Sequence, residues 1–286
     1  YVAKEGINAQ LSLPAPRFED FKNFLDGISF LKGVRLNIAV EQDNESFLKL
    51  TVKVREKIVA DGLKDGSFDL TQKGIHLNAD DFNTLLAQPD TICVDMRNHY
   101  ESEVGHFKGA FTPDVDTFRE SLPFIEQELA HHKEDKKLLM YCTGGIRCEK
   151  ASAYFRHKGF KNVFQLEGGI IEYTRQVNEK GLENKFIGKN FVFDERGGER
   201  ISEHIIAKCH QCGSPCDSHV NCANEACNLL FIQCHSCKEQ RESCCSIDCQ
   251  ETINLPVEEQ GKRRKGKYNS NKIFKKGRSE ALKFKH

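Results

Sequence analysis

Cys142 stands in the run Cys142-Thr143-Gly144-Gly145-Ile146-Arg147, directly after an apolar stretch and directly before a helical pattern. In an open α/β sheet, ligands bind at the carboxyl ends of strands, and Cys142 occupies such an end. Gly144 and Gly145 let the backbone curl so that several N–H groups of residues 143–146 converge on one concavity, and the following helix adds its positive end. Such settings lower a thiol pKa from ~8.5 into the range of about 3.5–7.5, so the nucleophilic thiolate becomes the resting form. The same ring of N–H donors can hold a persulfide or an attached oxyanion. A structural cysteine beside a Gly-Gly turn is the plainer alternative. The coincidence of strand end, glycines, Arg147 and helix start argues against it. Cys93, in mid-strand, reads as structural. Cys148, one position after Arg147, either resolves an oxidised Cys142 as a disulfide or simply packs.

A second chemical signal is the crowding of ten of the thirteen cysteines between residues 209 and 249. Cys209, Cys212 and Cys216 are followed by Cys222 and Cys227, by Cys234 and Cys237, and by Cys244, Cys245 and Cys249. Two tetrahedral zinc sites would use eight of the ten, with His210, His219 and His235 as further candidates. A segment with so few apolar residues folds with difficulty unless crosslinked, so structural zinc is expected ahead of disulfides or free thiols. Spacing does not reveal which cysteines share a metal. A secreted disulfide framework is normally a short chain without a large cysteine-poor body, so a reducing cytoplasm is the expected setting.

The elements that must position these groups follow from periodicity. Residues 76–180 alternate apolar strands (Thr91–Asp95, Lys137–Tyr141, 163–166) with helices (80–87, 116–131, 147–158, 169–179). That alternation predicts βαβ units and a parallel sheet with helices on both faces. Residues 1–75 predict a small α+β unit, with strand-like runs at 1–3, 9–13 and 47–54 and a helix over 18–25. Residues 181–260 read as a linker and the Cys-rich segment, and 261–286 as a basic tail. The chain opens at Tyr1 without a methionine, and residues before it are expected in the natural protein.

The formal net charge of zero hides an asymmetry. Between Lys262 and His286 lie eleven Lys/Arg and one acidic residue, which leaves the remaining body at −10. A basic tail on an acidic body suggests a polyanionic partner. Lys262, Arg263, Arg264, Lys265, Lys275 and Lys276 supply charge for phosphates, and Tyr268 and Phe274 supply rings for unstacked bases. No run approaches the roughly 18 apolar residues of a membrane span. Flavin, haem and NAD motifs and a His/carboxylate iron triad are not evident.

Asp95-Met96-Arg97, Glu101 and Gly105-His106-Phe107-Lys108-Gly109-Ala110 resemble the first signature of rhodanese domains. Cys142 through Arg147 matches their Cys-x4-Arg loop, and Glu167-Gly168-Gly169 the segment before their last helix. The resemblance implies that Cys142 carries a persulfide or related sulfur adduct and that Arg147 closes the loop. Cysteine phosphatases of related fold place five residues between Cys and Arg; four here imply a sulfur-sized pocket. Asp95, Arg97, Glu101 and His106 are expected to tie loops to the sheet.

The runs AKEGIN (3–8), YCTGGIRCEK (141–150), EGGIIEY (167–173), NFVFDER (190–196) and the cysteine cluster extend the likeness over nearly the whole chain. Together they resemble the rhodanese-domain tRNA uridine hydroxylases. These pair a ferredoxin-like (acylphosphatase-like) first domain with a rhodanese domain and a Cys-rich end, and form 5-hydroxyuridine at the wobble position with dioxygen. The resemblance implies tRNA as partner, O2 as cosubstrate and an electron donor the residues do not identify. Against this stand a thiosulfate or persulfide sulfurtransferase, which the isolated rhodanese domain supports equally, and a non-catalytic RNA- or protein-binding module. The basic tail and flanking domains favour the hydroxylase over the sulfurtransferase, and the intact loop disfavours the module.

Overall fold

The computed structural model describes residues 1–39, 51–64, 66–193, 197–265, 279 and 282. Strands β1 (Val2–Ala3) and β2 (Gly6–Ile7) form an antiparallel hairpin, followed by helix α1 (Phe18–Asp26). The strand expected over 9–13 does not form. Of the run 47–54, residues 51–54 contribute only the bridge of Val54 to Val2, and the rest lies outside the described residues. No described residue from 1 to 60 is buried. A strand is stabilised mainly by packing one face, and residues 9–13 have no buried face to pack.

The central sheet is built as the periodicity predicts. Its four strands are β3 (Ile75–Leu77), β4 (Thr91–Asp95), β6 (Lys137–Tyr141) and β7 (Asn162–Leu166), in the order β3-β7-β6-β4 and all parallel. Between them run α2 (Ala79–Leu86), α3 (His99–Ser102), α4 (Phe118–Glu128), α5 (Ile146–His157) and, after β7, α6 (Gly169–Lys180). Alternate strand residues face opposite layers. Val94, Leu138, Met140 and Val163 pack under α4 and α5 against Leu122, Ile125, Tyr154 and Phe155. Cys93, Leu139, Tyr141 and Leu166 pack under α2 and α6 against Phe82, Ile170, Tyr173 and Val177. Both faces are covered, which explains why β4 and β6 read as nearly continuous apolar runs.

The stretch after Gly181 is not merely a linker. Strand β8 (Phe186–Asn190) pairs antiparallel with β5 (Gly105–Phe107) on one side and with β9 (Glu199–Arg200) on the other. Two glycines permit this. A Cβ on Gly105 would lie 2.3 Å from the Lys189 carbonyl oxygen, and one on Gly188, at φ +92°, 2.3 Å from that of Val104. Beyond it, the hairpin β10 (His219–Asn221) and β11 (Leu230–Ile232) is followed by α7 (His235–Gln240), α8 (Ile247–Ile253) and α9 (Val257–Arg264). Among the described residues no helix is long and apolar enough to cross a membrane.

Candidate active site

Cys142 leaves the end of β6 and enters a loop fastened from two sides. Its carbonyl oxygen accepts the Ile170 N–H at 3.0 Å, and that of Thr143 accepts the Ile171 N–H at 3.2 Å, so the N-terminus of α6 is spent on the loop backbone. Gly169, at φ +68°, lets these groups meet, since a Cβ there would stand 2.5 Å from both carbonyl oxygens. Gly145 adopts φ +92°, caps α5 and directs its N–H at the Cys142 sulfur, 3.2 Å away. Of the N–H groups expected from Thr143, Gly144, Gly145 and Ile146, that of Gly145 is the one in direct contact with the sulfur.

The thiol itself is 1% exposed, at the floor of the loop. Its pKa is pulled down to about 6. The largest cause is a hydrogen bond from the Cys148 side chain; burial opposes it, while the Arg147 charge and the Cys148 and Gly145 N–H groups assist. Cys148 shifts the opposite way, well above an ordinary thiol, because it is wholly buried and donates to Cys142. The Cys148 thiol, on the first turn of α5, thus donates to the Cys142 thiolate. At neutral pH the charge rests on Cys142.

Arg147 is held by Glu101 in a two-pronged ion pair, Nη1 to Oε2 at 2.7 Å and Nη2 to Oε1 at 2.8 Å, with a longer bond to Thr143 Oγ1 at 3.4 Å. Glu101 is buried, and its Oε2 also accepts the Asn98 N–H at 3.1 Å in the capping box of α3. Sequence reasoning places Glu101 among residues tying loops to the sheet. Its anchoring role holds, but its partner is Arg147, 46 positions away, and nothing in local spacing signals that. Asp95 and Arg97 behave as expected. Arg97 bonds Asp95 through Nε at 2.9 Å and Nη2 at 2.6 Å and reaches the Gly105 carbonyl at 2.6 Å, while Tyr141 donates to Asp95 at 2.7 Å. His106 Nδ1 donates to the Ser102 carbonyl at 2.8 Å.

The first segment reaches this site, which the sequence does not suggest. Asn37 Nδ2 donates to the Gly144 carbonyl at 3.3 Å, and Arg35 pairs with Glu167 at 2.7 Å. Lys150 on α5, itself buried, is bound by Glu5 and Asp61 at 2.7 Å each. The segment is therefore pinned to the loop and to the helix behind it.

Eight of the ten clustered cysteines fall into two groups able to hold a metal, Cys209, Cys212, Cys234 and Cys237, and Cys222, Cys227, Cys245 and Cys249. Cys216 and Cys244, candidates by spacing, stand outside both. The Cys216 sulfur accepts the Ser218 N–H at 3.5 Å, and both cysteines are buried in apolar clusters. The spare histidines also stand aside: His210 meets Glu103 at 2.6 Å and His235 meets Glu239 at 3.6 Å. Of the basic candidates, Lys262 pairs with Glu259, Arg263 donates to Thr252 and Arg264 pairs with Glu225, all at the end of α9 with Lys265. Lys275 and Lys276 lie outside the described residues.

Comparison with known proteins gives three consecutive family matches: a UPF0176 acylphosphatase like domain over 1–58, a rhodanese-like domain over 78–176 and a rhodanese C-terminal domain over 187–250. Curated relatives that match nearly the whole chain bear the name tRNA uridine(34) hydroxylase. The one from Yersinia enterocolitica (serotype O:8, biotype 1B) is 60% identical over 279 residues, covering 97% of this chain and 79% of its own. The one from Yersinia pestis (strain Pestoides F) is 60% identical over the same length, covering 97% and 78%. Among solved structures, a rhodanese-like domain from Anabaena sp aligns at 19% identity with a TM-score of 0.31, covering 40% of this chain and 78% of its own.

Proposed function

We propose a reaction at Cys142 from one premise: the chain belongs to the tRNA uridine(34) hydroxylase family, with which it shares 60% identity over 97% of its length. It is an oxidoreductase that modifies tRNA, and its residues divide the chemistry among them. The Cys142 thiolate adds to C6 of the uracil ring, forming an S–C bond and leaving an enolate over C5 and O4. Electron-rich C5 then reacts with dioxygen. One oxygen atom stays on C5 as hydroxyl and the other leaves as water, with two protons and two electrons from an external donor. Departure of the thiolate with loss of the C5 proton restores the ring as 5-hydroxyuridine. A persulfide on Cys142 would add in the same way, its outer sulfur held by the loop N–H groups.

The observation that carries this reading is the Cys142 sulfur at the strand end, 3.2 Å from the Gly145 N–H and beside an arginine locked on Glu101, surroundings that draw its pKa down to about 6. Nucleophilic catalysis needs such an ionised sulfur near neutral pH. Its burial also fits the substrate, because a base reaches a loop floor only when it is turned out of its stack, which costs least for an unpaired one such as an anticodon-loop uridine. Glu101, Arg147 and Gly169 position the loop. Cys148 holds the proton beside the thiolate. The basic residues Lys262–Lys265, with Lys275 and Lys276, are assigned to tRNA phosphates, the Cys-rich segment to structural zinc, and the protein to the cytoplasm where tRNA is modified.

The experiment is nucleoside analysis of tRNA from a strain lacking the gene, complemented with wild type or with Cys142→Ser. Absence of 5-hydroxyuridine only with the variant supports the reading; unchanged modification removes Cys142 from the chemistry. Loss of a thiolated base instead would favour the sulfurtransferase alternative.

A further inference from the structure

The cysteines of the C-terminal segment form two tetrads whose members alternate in pairs along the chain. Cys209 and Cys212 belong with Cys234 and Cys237, and the intervening Cys222 and Cys227 with Cys245 and Cys249. Within each tetrad the sulfurs lie within 4.8 Å of one another. Individual separations are 3.6 Å for Cys212 to Cys234, 3.7 Å for Cys227 to Cys245 and 3.8 Å for Cys245 to Cys249. Four thiolates at the corners of a tetrahedron around zinc, at ~2.3 Å from the metal, stand ~3.8 Å apart. A disulfide needs about 2.05 Å, and a cluster of several iron atoms needs a wider cradle.

The local fold explains the alternation. The β10–β11 hairpin ends in a ligand on each side: Cys222 follows β10 and serves the second tetrad, whereas Cys234 follows β11 and serves the first. Its two strands therefore lead into different groups. Cys212 is exposed, whereas Cys222, Cys245 and Cys249 of the second tetrad are buried around Leu229, Phe231 and Leu282. The first tetrad also docks on the rhodanese domain. Cys209 and Cys237 pack with Tyr100 and Val104, and Glu103, just past α3, meets His210 at 2.6 Å.

We propose that this segment is a cross-braced pair of structural zinc sites, the first formed by Cys209, Cys212, Cys234 and Cys237, the second by Cys222, Cys227, Cys245 and Cys249. Each site has four soft thiolate ligands and no open position, the donor set of structural zinc rather than of a hard or catalytic ion. Cys216 and Cys244 take no part. The proposal deepens the assignment of structural zinc to the Cys-rich segment and stands apart from the reaction at Cys142.

The test is metal analysis of the full chain purified under reducing conditions, with paired variants that separate alternating from sequential ligation. Two zinc ions per wild-type chain are expected, and two in Cys216→Ser and Cys244→Ser. Cys212→Ser with Cys237→Ser should retain one zinc ion, and Cys212→Ser with Cys227→Ser none. Sequential ligation reverses that pair of results and overturns the proposal. X-ray absorption of the unmutated protein supplies a measurement that no folding failure affects: four sulfurs at ~2.3 Å around zinc are expected. Less than one zinc ion per chain, iron in its place, or nitrogen among the ligands overturns it. Cys142→Ser should keep both ions, so failure here and failure of the reaction are told apart.

Discussion

Glu101 grips Arg147 with both carboxylate oxygens, at 2.7 and 2.8 Å, although the two residues lie on different helices and 46 positions apart. The carboxylate is fully buried and the guanidinium nearly so. Removing one partner of such a pair leaves an uncompensated buried charge. Glu101→Ala should therefore destabilise the protein by about 3–5 kcal/mol, read by urea unfolding, and lower hydroxylation well beyond the unfolded fraction. A change below ~1 kcal/mol would show the pair to be solvated and the clamp idle.

The Cys142–Cys148 pairing makes a pH prediction. A thiol held down to about 6 is protonated and slow below that pH and mostly thiolate above it, so alkylation should rise through pH 6 and level off near 7. Cys148→Ala deletes the largest cause and should move that rise upward by about 1–2 pH units, since a hydrogen bond to a charged group contributes about 1.5–3 kcal/mol. Cys148→Ser keeps a donor and should recover most of the shift. Peptide-resolved mass spectrometry of iodoacetamide labelling checks it. A profile identical in all three proteins would remove Cys148 as the donor.

Gly169→Ala tests the seam between the loop and α6. The added carbon meets the Cys142 and Thr143 oxygens at 2.5 Å, and φ +68° costs an L-residue about 1–2 kcal/mol besides. A lower Tm and a hydroxylation rate down by at least tenfold are expected. Gly181→Ala, at φ +64° with open space around it, should show the backbone cost alone and leave the rate intact.

Substituting Lys262, Arg263, Arg264 and Lys265 together by Ala should weaken tRNA binding and flatten its dependence on salt. Each phosphate that is no longer neutralised reduces the slope of log K against log salt by about 0.7–0.9. Point substitution is the cleaner test than removal of residues 262–286, because Leu282 packs against the second cysteine tetrad. Unchanged affinity and slope would exclude this end of α9 from the RNA interface.

What is legible in the sequence is whatever local pattern controls. Strands Thr91–Asp95 and Lys137–Tyr141 appear with the bounds their apolar runs announce, and the loop from Cys142 to Arg147 sits at the strand end that chemistry requires. The rest depends on distant partners. Strand Phe186–Asn190 carries a central glycine that weakens its strand signal, yet that glycine is what admits β5. Glu101 and Asn37 reach the loop, and Arg35 reaches Glu167 beside it, only through tertiary folding. Among the ten clustered cysteines, spacing treats Cys216 and Cys244 like the other eight; only the convergence of sulfurs in the folded chain separates them.

The alternation of the cysteine pairs sets an order of assembly on the ribosome. Chain elongation delivers half of the first tetrad, then half of the second, before either is completed. On the proposed ligation, zinc would close the first only once Cys237 has emerged, and the second only after Cys249. Because Cys209, Cys237 and His210 buttress the neighbourhood of α3, which carries Glu101, a nascent chain gains its complete rhodanese domain well before that support arrives. The brace beside α3 is thereby added only after the Cys142 loop has been made.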